Sequence, residues 1–188
     1  MNNMTNMTAI KRAVVCAACI ALCCVLPVAF HSVGLGSVLS PMLLPVLLCG
    51  LVCGGWYGLF CGLAGPLLSS MLTGMPGAMG LMTMVPELMA YGLFSGLAMK
   101  LVRTRSLYAD MYISLIAAMV LGRIVGGIAQ VVTIRLMVID LAYTAYIWIQ
   151  SYFVVSFPGI VIQLILVPAV TLMLMKAKVI PTRYPKIA

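Results

Sequence analysis

Five stretches of this chain, roughly 9–30, 42–72, 83–102, 110–137 and 153–175, run on in apolar residues with hardly a charge among them. Runs of that length leave few ways to fold. A soluble domain carries about a quarter of its residues as charges to keep its surface hydrated, whereas here 7% are charged and 64% hydrophobic. Disorder is excluded on the same ground, because it needs few apolar residues and many charges. Outer-membrane strands alternate over about ten residues, and these runs do not. The chain therefore reads as an all-α integral membrane protein. One span takes about 20 residues, so the 188 residues hold six or seven helices, short loops and no second soluble domain.

Lys11 and Arg12 precede the first run, Ala13 to Phe30. It is long for a signal h-region and no small-x-small site follows, so it is expected to remain as a first helix. The second run is the unusual one. As a single helix, 42–72 would measure about 46 Å against a hydrocarbon core of about 30 Å. Gly54 and Gly55 interrupt it, with Trp56 and Tyr57 next; paired glycines break helices, and Trp and Tyr favour the membrane interface.

Charge decides between one span and two. Nine of the 11 basic residues fall at Lys11 and Arg12, at Lys100, Arg103 and Arg105, at Lys176 and Lys178, and at Arg183 and Lys186. If 42–72 crosses twice, all four groups face the cytoplasm, as the positive-inside rule prefers. The expectation is one domain over 1–188, a six-helix bundle with both termini cytoplasmic. Its helices would lie near 9–30, 42–53, 57–72, 83–102, 110–137 and 153–175. The outer loops, 31–41, 73–82 and 138–152, then carry no Lys or Arg. The net charge of +8 suits contact with anionic lipid heads; the 13-residue basic tail is too short for a nucleic-acid domain.

Ionisable groups at membrane depth are costly and face a partner or a cavity. Pro86 reads as marking the start of the fourth helix, which puts Glu87 about four residues inside its outer end. Glu87, Tyr91 and Ser95 then form one polar stripe. Arg123 lies mid-helix among Gly122, Gly126 and Gly127, with Gln130 seven residues on, and the glycines allow another helix or a ligand close to the backbone. Glu87 and Arg123 lie at comparable depth. They are either an ion pair joining two helices or the lining of a cavity open to the outside. Gln163 is either an interhelical hydrogen bond or a ligand contact. Arg135 and Asp140 read as an interfacial pair, and Asp110 as a charge suited to a helix dipole.

Catalytic chemistry finds little here. There is no P-loop and no nucleophile elbow, and the one histidine is His31. No cofactor or metal is expected. The seven cysteines, Cys16, Cys19, Cys23, Cys24, Cys49, Cys53 and Cys61, all fall in apolar runs and read as small hydrophobes. The Met-rich stretch Met71 to Met84 reads as an adaptable pocket or lid. Ala13, Ala17 and Ala21 make a flat face, either packed internally or docked to another membrane subunit.

The stretch from Gly36 to Leu97 resembles the substrate-binding S components of bacterial energy-coupling factor transporters, which import vitamins. The likeness rests on Pro41–Leu48 with the glycine-rich segment to Gly65, on Pro66-Leu67-Leu68-Ser69-Ser70 leading to Leu72-Thr73-Gly74-Met75-Pro76, and on Pro86-Glu87-Leu88 with Tyr91-Gly92-Leu93. The resemblance implies a non-enzymatic six-helix protein of the bacterial cytoplasmic membrane. It implies substrate capture near the outer face by helices four to six and the outer loops. It further implies a membrane coupling subunit and two ATPase subunits as partners, met through Ala13, Ala17 and Ala21. Thr73, Gly74, Met75 and Pro76 would belong to a lid over 73–82. The pocket candidates are Glu87, Tyr91, Arg123, Gln130 and Gln163. An anionic ligand would use Arg123 and an amine-bearing one Glu87; the 40–76 region is most like cobalamin-type or pantothenate-type members. The reading from another class is a membrane scaffold subunit without ligand.

Overall fold

The computed structural model describes residues 8–32, 40–104, 106–137 and 157–177. These form six helices and no strand: α1 (Ala9–Ser32), α2 (Leu43–Cys53), α3 (Gly55–Thr73), α4 (Ala78–Leu101), α5 (Leu107–Met137) and α6 (Phe157–Lys176). Four of them contain a segment long and apolar enough to cross a membrane, namely Ala9–Phe30, Gly80–Leu101, Leu107–Thr133 and Gly159–Lys176. The protein is an all-helical, multi-pass membrane protein. α2 does not reach across alone: its 11 residues make about 16 Å of helix. Most of the loops 31–41 and 138–152, Asp140, Arg105, Lys178, Arg183 and Lys186 lie outside the described residues.

α2 is the centre of the bundle. Ten of its 11 residues are buried, and it touches every other helix. A helix apolar on all sides is stable only when surrounded in this way. α1 lays Cys16, Cys19 and Cys23 against it, each at most 4% exposed. Cys49 of α2 and Cys61 of α3 are fully buried as well. All seven cysteines are unbridged, and those at the seam act as small space-fillers with weak S–H bonds to backbone carbonyls, such as Cys23 to Met42 at 3.8 Å.

Gly54 breaks the long apolar run. Its φ of 102° lies in a region closed to most side chains, and the chain folds back there. Gly50 and Gly58, four residues to either side, meet: a methyl on Gly58 would lie 2.7 Å from the Gly50 Cα. The Gly92 carbonyl of α4 closes on the same point, so three backbones converge there. This is the small-residue packing that membrane helices use in place of hydrophobic driving force. Gly58→Ala is expected to cost about 2 kcal/mol, because overpacking against backbone outweighs a gain of up to about 1 kcal/mol in helix propensity. Thermal unfolding in detergent measures this. Gly77→Ala, where nothing lies within 4 Å, is the control without overpacking, and should cost no more than the exchange of an N-cap, under about 1 kcal/mol.

α4 begins earlier than the sequence suggested. Gly77, in extended conformation, precedes the first helical residue, Ala78, and Pro86 sits inside the helix. Proline in the interior is tolerated where neighbouring helices make good the lost bond. Glu87 is consequently nine residues into α4, near its middle, and not four residues from its end.

At the other end of α4, the connection to α5 is fastened by Asp110. This carboxylate is fully buried and accepts bonds from the Thr104 N–H and hydroxyl, both at 2.7 Å. It ties a loop down as well as complementing the helix start.

Candidate binding site

α4 and α5 pack along a seam of two short stripes. On α4 these residues are Glu87 and Tyr91, one turn apart; on α5 they are Gly122 and Gly126, also one turn apart. A methyl on Gly126 would lie 2.7 Å from the Glu87 Cγ, and one on Gly122 2.8 Å from the Tyr91 Cγ. The glycines thus form a flat bed for a carboxylate stem and a phenol ring. Tyr91 is 1% exposed, and its hydroxyl donates to Glu87 Oε1 at 3.2 Å. Glu87 itself is half-buried.

This register fixes the depth of Arg123. It follows Gly122, which faces Tyr91, and precedes Gly126, which faces Glu87. Its Cα is therefore level with the carboxylate and the phenol, and its side chain is 6% exposed. Gln130, two turns farther along α5, is half-buried. Gln163 of α6 is 3% exposed. The contacts join Glu87 and Tyr91 to the glycine bed of α5; Arg123 shares their level, while Gln130 stands farther along α5 and Gln163 on α6. Such a set can bind polar groups of either sign through charge-assisted hydrogen bonds.

The polar stripe of α4 divides. Ser95 is fully buried but turns to α2: its hydroxyl bonds the Gly92 carbonyl at 3.0 Å beside Gly50. It joins the glycine crossing and not the α5 seam.

The expected lid over 73–82 is shorter, since residues from Ala78 on are helical. Gly74 caps α3 in the left-handed conformation, and its N–H reaches the Ser70 carbonyl. Ser69 and Ser70 donate to the Met75 and Pro76 carbonyls, each at 3.0 Å. The Thr73 hydroxyl donates to the Ser69 carbonyl at 2.7 Å. Met75, at 51% exposure, and Met82, at 49%, flank this turn. Sequence reasoning gave the two serines no role. The signal was their position one turn before a glycine cap, within reach of the carbonyls beyond it.

Ala13, Ala17 and Ala21 are exposed on α1, whose packed face is that of the cysteines. Within the described residues the alanine face covers nothing. The Arg135 side chain, like Asp140, lies outside what is described. Among the described residues no three His, Cys, Asp or Glu side chains are placed to hold a metal ion.

The family model described as "ECF transporter, substrate-specific component" matches residues 11–171. The chain belongs to this family. No curated protein and no solved structure matches it. As an ECF substrate-specific component, the chain is a substrate-binding subunit of a transporter and not an enzyme. Membership also implies its partners, the ECF coupling subunit and the ATPase subunits. The match runs from α1 into α6 and so takes in Glu87, Tyr91, Arg123, Gln130 and Gln163.

Proposed function

We propose that this S component captures a water-soluble vitamin or related micronutrient at the outer membrane face, for import by the coupling subunit and two ATPases. The observation that carries the reading is the buried α4–α5 seam, where Glu87, Tyr91 and Arg123 share one depth. Polar groups are expensive there, and a chain with so few of them places three together. Gln130 and Gln163 would complete the contacts. The 74–77 turn, with Thr73, Gly74, Met75 and Pro76, would cover the site, and its exposed methionines would adapt to an apolar ligand surface.

The topology in this reading has six crossings with both termini inside. The fold-back at Gly54 supports it, since it turns the long apolar run into a helical hairpin and leaves Lys11, Arg12, Lys100 and Arg103 at one end of the bundle. α2 can be short because protein surrounds it. The exposed Ala13, Ala17 and Ala21 face would dock on the coupling subunit.

The test is the cargo. Protein purified in detergent from cells grown on rich medium should release a near-stoichiometric small molecule, identifiable by mass spectrometry. An empty protein that binds no member of a water-soluble vitamin panel would instead favour a scaffold role, with Glu87 and Arg123 joining helices.

A further inference from the structure

We infer that a cleft at the basic end of the bundle binds the phosphate of an anionic phospholipid headgroup. The cleft measures about 270 Å3 and opens where the start of α1, the break between α2 and α3, and the end of α4 meet. Arg12, Lys100, Trp56 and Tyr57 stand in its walls, with Gly54 and Gly55 at the break. None of its wall residues is acidic. Three segments far apart in sequence thus bring two cations to one concavity.

Arg12 is held in place there. It is half-buried, and its carbonyl accepts the Cys53 thiol at 3.7 Å, which fastens the start of α1 to the end of α2. Lys100 is exposed. A guanidinium presents a planar fork that matches phosphate oxygens, and an ammonium adds a point charge. Trp56, 79% exposed, gives the depth. A Trp ring at the end of an apolar helix sits at headgroup level, and basic pockets between membrane helices at that level take anionic headgroups. The inference needs only that the helices lie in a bilayer, and it holds or fails independently of the cargo.

The experiment uses the full chain in detergent, exchanged with phosphatidylglycerol or with phosphatidylcholine of the same acyl chains, and read by native mass spectrometry. One phosphatidylglycerol should be retained preferentially. Each cation should contribute about five-fold, so Arg12→Gln/Lys100→Gln should remove about 25-fold of the preference. Lys11→Gln/Arg103→Gln takes two charges from the same end but outside the cleft walls, and should leave the preference intact. Lys100→Gln alone changes an exposed side chain and should cost about five-fold, which keeps the test open if the double variant does not fold. Equal losses in the cleft pair and the control pair, or no loss in either, would overturn the inference. Inorganic phosphate separates the two sources. Release of the bound lipid by phosphate alone would reassign the site to a free anion, whereas retention of the lipid in its presence supports the headgroup.

Discussion

With an anionic substrate, Arg123→Ala is expected to weaken binding of the co-purified molecule by about 30-fold or more, because truncating one partner of a buried charge pair costs about 2–5 kcal/mol. Titration calorimetry with the molecule identified from the purified protein measures this. Arg123 is 6% exposed, on a helix bedded against Glu87 and Tyr91. Arg123→Lys should fall between, since it keeps the charge and loses the fork. Glu87→Gln completes the comparison. With an anionic substrate it should leave affinity within a few-fold, whereas with an amine-bearing substrate it should be the more damaging change. The two variants together report the sign of the ligand. A scaffold gives a different pattern. There, Arg123→Ala and Glu87→Ala would each lower the unfolding temperature, and the double variant would show strong coupling in stability with no ligand to lose.

The membrane class was legible because it depends on composition alone. A chain with 7% charged residues has no soluble alternative, whatever its topology. The α4–α5 seam was partly legible, because Glu87 with Tyr91 and Arg123 with its glycines are local patterns, and a polar residue in an apolar helix is conspicuous. Their depth was harder. Pro86 marks a helix start in water, but in a bundle it sits in the helix interior, so Glu87 lies deeper than the sequence suggested. Ser95 shows the limit of periodicity: it repeats at the right interval, yet Gly50 leaves room on the other side and Ser95 fills it. The central position of α2 was hidden for another reason. An apolar run looks the same whether lipid or protein surrounds it. The basic cleft was out of reach altogether, since Arg12, Trp56 and Lys100 are brought together only by the fold.

Ala17→Leu is expected to abolish most uptake, by ten-fold or more, while substrate binding by the isolated protein is unchanged. Ala17 is exposed, as are Ala13 and Ala21, and α1 turns Cys16, Cys19 and Cys23 inward instead. Among the described residues no other helix packs over position 17, so the effect of a leucine there on stability should stay within about 0.5 kcal/mol. Small residues four apart let two helices approach until their backbones touch; a leucine in the middle of such a face holds them apart and removes the contacts of the whole stripe. The control is Ala18→Leu. Ala18 is also exposed, and the same four carbons are placed about 100° around the helix, off the Ala13–Ala17–Ala21 line. Uptake and co-purification of the coupling subunit, measured side by side, decide the matter. Loss in Ala17→Leu with retention in Ala18→Leu assigns the docking face to that line of alanines. Equal loss in both would mean that added bulk anywhere on α1 disturbs assembly, and the alanine spacing would then carry no meaning for the partner.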